Sequence, residues 1–168
     1  KKNYTDNGTD DIQYLISTNP GETLKPLGQI VSGGELSRIM LALKAILADR
    51  DEIETLIFDE IDTGISGRTA QKVSEKMAVI GQHHQVLCIT HLPQIAAMAD
   101  QHYLIEKREQ DGRTRTTVQL LDSDGRQREI ARLYGGDHIT PLTLASAAEQ
   151  LASADAYKQS LKKGEREP

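Results

Sequence analysis

The sequence has a single cysteine, Cys88, and it lies inside the apolar run "VLCIT". One thiol cannot build a disulfide framework or a multi-cysteine zinc site, so the expectation is a reducing compartment and a core cysteine rather than a nucleophile. Long hydrophobic runs are also missing: the most apolar stretch, "IMLALKAILA", is broken by Lys44 and too short to cross a bilayer, and no secretory signal is visible. Positive charge is not in excess, because 20 Lys and Arg against 25 Asp and Glu give a net charge of -5. That balance argues against a chain that coats nucleic acid through a broad basic surface, although a local basic strip or a partner domain stays compatible with it. Low-complexity tracts and convincing internal repeats are absent, and "DGR", at 111–113 and again at 124–126, reads as a turn tripeptide. The chain starts at Lys1 rather than Met, which implies that it was cut, processed or excised from something longer. Finally, no G-x-x-x-x-G-K-S/T occurs, so the chain carries no loop of that type to cradle β- and γ-phosphates.

What is present suits one compact unit. The 168 residues are 38% hydrophobic and 27% charged, the balance of a globular domain. Residues 1–11, "KKNYTDNGTDD", read as a linker or frayed start, "IQYLIS" as a strand, and "TNPGETLKPLG" as a loop. From Ser32 the pattern changes. Leu36, Ile39, Met40, Leu43, Ile46 and Leu47 recur at helical spacing, which predicts an amphipathic helix from 34 to about 49, opened by a capping box of Ser32 and Glu35. "TLIFDE" has the profile of a buried strand ending in two acids. A helix over 67–82 follows, with Ala70, Val73, Met77 and Ile80 on one side and Ser66 as its cap. "QVLCIT" is a second buried strand, ending at Thr90 and His91. "LPQIAAMAD" is a short helix with Pro93 in its first turn, and "HYLIEK" and "RTTVQL" form a hairpin through "QDGR". "QREIARLYGG" and the stretch opened by Thr140 and Pro141 complete the chain as two helices.

Alternating strands and helices predict an α/β core with a mainly parallel sheet flanked by helices, plus a β-hairpin. Ligands in such sheets gather beyond the carboxyl ends of the strands, so Asp59 and His91 should share one edge. A strand ending in Asp59 and Glu60 suits a magnesium nucleotide site, where one carboxylate holds the ion and a second orients or deprotonates the attacking water. Alone, the pair is weak, since apolar runs ending in Asp-Glu are common. "VSGGELSR" adds a helix start whose glycines leave amides uncovered, so Ser32, Gly33 and Gly34 could hold an anionic phosphate; an ordinary capped helix would look the same in isolation.

Order and spacing distinguish these readings. A helix-opening S-G-G-E, an apolar strand ending in Asp-Glu, the turn "IDTGIS" and a strand ending in His resemble the second half of an ATP-binding cassette ATPase. "STNPGETLKPLGQIVSGGELSRIMLALK", "TLIFDEIDTGISGRTAQKV" and "ITHLPQIAAMAD" are similar, more closely, to the C-terminal part of the bacterial DNA-repair relatives of the SMC chromosome-organising proteins. The similarity runs from about Ile12 to Leu151. It implies the C-terminal lobe of an ABC/SMC-type P-loop ATPase head over 12–155, with 156–168 as a tail. It implies that Ser32, Gly33, Gly34 and Glu35 form the signature, which contacts the γ-phosphate of a nucleotide held by a second head. Asp59 would serve Mg2+, Glu60 the hydrolytic water, Asp62 the D-loop at the dimer interface, and His91 the γ-phosphate as switch residue. ATP and Mg2+ are the implied cofactors. The implied partners are an N-terminal Walker A segment of the same protein beyond a long coiled coil, a second head, and DNA reached through the full-length protein. Such a protein would act in the cytoplasm at the nucleoid, in recombinational repair of double-strand breaks, with ATP joining the heads and hydrolysis releasing them. The chain alone would be inactive for lack of Walker A.

His83, His84, His102 and His138 have no place in this series and read as surface or turn residues. Arg38 and Arg68 are phosphate partners or structural arginines. Lys107, Arg108, Arg113 and Arg115 fit a solvated face better than a DNA site. Two rivals stand. A transporter ATPase fragment would usually carry Gln after the signature glycines and Pro after the Walker B glutamate, where this chain has Glu35 and Ile61. A non-enzymatic dimerisation module would keep the motifs as scaffold only.

Overall fold

The computed structural model describes residues 8, 10, 12–17, 21–29, 32–47, 53–110 and 113–164. Most of the expected linker over 1–11, the hairpin turn at 111–112 and the last four residues lie outside them. The strand expected over 12–17 shortens to β1 (Leu15–Ile16), antiparallel to β2 (Lys25–Pro26). Pro26 has no amide to donate, so the ladder stops there and the next bond runs from Leu27 N to Tyr14 O at 2.8 Å.

Helix α1 (Gly33–Leu47) begins where the glycines predict it. Its buried side differs from the predicted stripe. Leu41 and Gly34 are its buried residues, whereas Leu36, Met40, Leu43 and Leu47 are 40–50% exposed and Ile46 79%. The physical reason is that Leu41, with Ala45 beside it, packs into the core shared with α2. Leu36, Met40 and Lys44 instead line an open cavity of about 290 Å³ with Leu56, Ile57 and Phe58.

Strand β3 (Thr55–Phe58) pairs in parallel with β4 (Gln85–Cys88), joined by α2 (Gly67–Ile80) as a strand-helix-strand unit. Leu56 and Phe58 turn inward onto Ala70, Val73, Met77 and Ile80, the helix face that the sequence predicts. Ser66 sits at the N-cap position of α2 without a side-chain capping bond. Helix α3 (Pro93–Met98) carries Pro at its start. The hairpin of β5 (Tyr103–Gln110) and β6 (Arg113–Leu120) extends further toward its tip than expected.

Helix α4 (Ser123–Gly135) begins earlier than its apolar pattern, so the second "DGR" is a first helical turn rather than a free turn. Asp122 is responsible: its carboxylate accepts the Gly125 amide at 2.8 Å and satisfies a donor the helix start would leave orphaned. Helix α5 (Pro141–Lys162) opens with the predicted Thr140 and Pro141, closed by a reciprocal capping box with Thr143, and runs on past Asp155. A second core joins α3, α4 and α5 around Ile130 through Ala96, Ala97, Ala131, Ala147 and Ala154, whose small side chains let the helices approach closely. Among the described residues no helix is long and apolar enough to cross a membrane. The result is a mixed α/β fold in which β3 and β4 deliver their carboxyl ends side by side.

Candidate active site

The parallel register carries β3 into Asp59 and Glu60 and β4 into Thr90 and His91 at the same edge. Beyond β3 the chain turns sharply. Glu60 has φ 56, a left-handed conformation that costs a non-glycine residue about 1–3 kcal/mol and is held only where the surroundings enforce it. Two bonds do so here: the Glu60 amide donates to Asp59 Oδ1 at 2.9 Å, and the Glu60 carbonyl accepts the Thr63 amide at 3.0 Å. Asp59 and Glu60 are exposed, and among the described residues Asp59 Oδ2 and both Glu60 carboxylate oxygens have no hydrogen bond. This exposed pair of hard oxygen donors suits a magnesium ion.

The start of α1 lies directly over this turn. A Cβ on Gly33 would stand 2.8 Å from Glu60 Oε2, and one on Gly34 would stand 2.7 Å from the Glu60 carbonyl oxygen and 3.1 Å from Thr63 Cβ. Only glycine fits at Gly34, and the sequence pattern S-G-G-E is thereby explained by contact. Leu36 N donates to Ser32 O at 3.1 Å, the first bond of the helix, and the Glu35 amide approaches Ser32 Oγ at 3.5 Å. The amides of Gly33 and Gly34 precede that first bond and have no acceptor within the helix. Three further bonds fasten α1 to the turn. Ser37 Oγ donates to Asp59 O, and Arg38 Nη1 donates to both Ile61 O and Thr63 O, each at 3.0 Å. Arg38 is therefore a structural arginine, while Arg68 stands exposed at the start of α2.

Asp62 lies inward. Its side chain is 4% exposed, and its Oδ2 accepts from Thr90 Oγ1 at 2.6 Å and from His91 N at 2.9 Å, while His91 Nδ1 lies 3.0 Å from it in ion-pair contact. The His91 ring is 73% exposed. The structure thus brings Gly33, Gly34, Asp59, Glu60, Asp62 and His91 into one connected cluster. The nearby Cys88 thiol is half-buried, and burial, reinforced by the carboxylates of Asp62 and Asp59, pushes it up to about 12. It is inert at neutral pH, as its apolar setting in the sequence suggests.

No family model matches the sequence. DNA repair protein RecN of Halalkalibacterium halodurans is 50% identical over 158 residues, covering 94% of this chain and 28% of that protein. The chain is RecN-like. RecN of Bacillus subtilis is 50% identical over 92% of the chain and 27% of its own length, and RecN of Xylella fastidiosa is 48% identical over 86% and 26%. The RecN-like chain therefore spans about a quarter of the curated relatives it matches. A solved structure from work on ATP-driven dimerization and DNA-stimulated activation of SMC ATPases is 20% identical, covers 74% of this chain and 81% of that one, and has a TM-score of 0.48.

Two features escaped the sequence. His102, expected at the surface, is half-buried; its Nδ1 is enclosed without a hydrogen-bond partner among the described residues, and burial lowers its pKa below the ordinary histidine value. It lines a cleft of about 690 Å³ between β4 and β5. The cleft itself is the second feature. Gln85 N and Ile89 N donate to Glu54 O and Phe58 O of the β3 side, at 2.8 and 3.1 Å, so the peptide groups of Val86 and Cys88 point to the opposite edge. Leu121 N donates to His102 O at 2.9 Å, so in β5 it is Tyr103 and Ile105 that point away from β6. Two strand edges without a partner among the described residues therefore border one cleft. His83 and His138 are exposed, and His84 Nδ1 lies 2.8 Å from Ile53 O. Lys107, Arg113 and Arg115 are exposed, and Arg108 pairs with Glu106 at 2.8 Å.

Proposed function

We propose that this chain supplies the signature, Walker B and switch elements of an ATPase head in a RecN-like DNA-repair protein. The observation that carries the proposal is the contact of the Ser32–Glu35 helix start with the turn that presents Asp59 and Glu60, next to His91 at the neighbouring strand end. When bound, Mg2+·ATP supplies the anhydride to be cleaved and the cation that offsets its charge. Asp59 Oδ2 offers the carboxylate oxygen for the ion's coordination sphere. Glu60 accepts the proton of the attacking water, and the exposed His91 ring meets the terminal phosphate. Ser32 Oγ and the Gly33 and Gly34 amides offer hydrogen-bond donors to a phosphate held by a second head. Such transfer depends on positioning and charge stabilisation, which is why so few side chains suffice.

The phosphate-cradling loop comes from a separate N-terminal segment of the same protein. The open cleft supports this, because a strand entering between β4 and β5 would find hydrogen-bonding groups on both sides. It is also supported by Ile57, Leu87 and Ile89, 47–70% exposed on the outer face of β3 and β4 and on the residue after β4, where a packed domain would bury them. The complete heads join in pairs around ATP, and DNA is engaged through the full-length protein. Mixing the chain with a separately made phosphate-loop segment tests the reading: ATP turnover is expected from the mixture and from neither part alone. Silence of a stably formed complex favours the docking-module alternative. In the same assay Glu60→Gln lowers turnover by about 10²–10⁴-fold, the usual contribution of a general base, and prolongs the life of ATP-bound dimers.

A second reading has one observation in its favour. Gly33 touches Glu60 of its own chain, so the helix start and the acids could serve one nucleotide in cis.

A further inference from the structure

The Asp62 carboxylate is buried, yet the imidazole it holds is open to solvent. A carboxylate oxygen presents only lone pairs, so an unprotonated His91 Nδ1 in contact with Asp62 Oδ2 at 3.0 Å would set lone pair against lone pair, and the contact favours the proton on Nδ1. The same oxygen takes the His91 backbone amide at 2.9 Å and Thr90 Oγ1 at 2.6 Å. Thr90 Oγ1 in turn accepts the Leu92 amide at 3.0 Å, so the peptide on either side of His91 is fixed as well as its ring. Asp62 is itself immobilised from behind, because Arg38 Nη1 binds the carbonyls of Ile61 and Thr63, the residues that flank it. The chain of contacts runs without a gap from the α1 helix start to the imidazole.

We propose that Asp62 is a positioning residue that locks neutral His91 as its Nδ1–H tautomer, so that Nε2 alone is the working atom of the ring. The identity of what Nε2 meets, a terminal phosphate or its attacking water, rests on the ATPase reading above; the tautomer does not. In the neutral ring Nε2 presents a lone pair and accepts a hydrogen bond. On protonation it becomes a donor to an anionic oxygen, and the Asp62 carboxylate, buried and already hydrogen-bonded, balances the new charge without moving. Asp62 acts here within its own chain, through His91 and not on substrate.

Long-range ¹⁵N–¹H spectra of the imidazole nitrogens test this directly, on the 168-residue chain at a pH well above the usual imidazole range, with the His91 signals assigned by their loss in His91→Gln. The expected result is a protonated Nδ1 and an unprotonated Nε2. Asp62→Ala, which removes the oxygen facing Nδ1, is expected to shift the ring to the Nε2–H form that prevails in free histidine. Nε2–H as the major wild-type form overturns the proposal, as does an unchanged tautomer in a folded Asp62→Ala protein. If that variant does not fold, the wild-type spectrum still decides between the two forms. In the full-length protein Asp62→Ala is expected to lower kcat about 10- to 100-fold with little change in KM for ATP. Absence of turnover in the wild-type protein would remove the ATPase reading while leaving the spectroscopic result standing.

Discussion

Gly34 is the tightest point of the site. Its missing side chain leaves room for the Glu60 carbonyl, a backbone atom that cannot swing aside, and for Thr63. Gly34→Ala must therefore shift α1 or the turn, at a cost of about 1–3 kcal/mol, readable as a lower urea midpoint. At Gly33 the obstructing atom is the carboxylate end of Glu60, which can rotate away. Gly33→Ala is accordingly expected to cost less than Gly34→Ala in the same titration. Equal losses would contradict the contact geometry. Cys88 makes a prediction of opposite character. Burial raises its folded pKa from 9.0 to about 12, so between these values the unfolded chain releases a proton that the folded chain keeps. Stability attributable to this thiol is complete below pH 9.0 and falls as pH rises toward 12. Cys88→Ala is expected to flatten that part of the curve of stability against pH.

At the scale of elements, what the sequence disclosed and what it hid have separate physical causes. The helix face of Ala70, Val73, Met77 and Ile80 was legible because one periodic stripe meets one sheet. So was the convergence of Asp59 and His91, since parallel strands of a strand-helix-strand unit end at the same edge. The burial of α1 was not, because periodicity shows which residues are apolar without showing what covers them, and Leu41 rather than Leu36 or Met40 reaches the core. The bonds that link Arg38 to the Asp62 turn, and Asp62 to His91, also join residues more than twenty positions apart. No local pattern encodes them. The half-buried His102 belongs to the same class, since its enclosure depends on how β5 passes β4. The cleft between those strands gives an element-scale prediction. The amides of Val86, Cys88, Tyr103 and Ile105 should exchange with solvent deuterium readily in the chain alone and become protected when the phosphate-loop segment binds. Protection confined to the outer face of β3 and β4 would mean that the segment docks without adding a strand.

For the whole molecule, the exposed apolar side chains of α1, β3 and β4, with Ile89, describe a surface made for covering, and the acids and the histidine stand at its rim. On the proposed function, the rest of the head covers this surface and the nucleotide lies at the junction between two heads, so that the α1 helix start of one protomer serves the acids of the other. Full-length protein carrying Ser32→Arg and full-length protein carrying Glu60→Gln should each be inactive as ATPases. After mixing and exchange of subunits, a heterodimer would hold one site with both defects and one with neither. ATP hydrolysis is then predicted to recover to about one quarter of the wild-type rate, as random pairing of twofold dimers requires. No recovery in a mixture shown to contain heterodimers would contradict the account and favour a helix start that serves only its own chain.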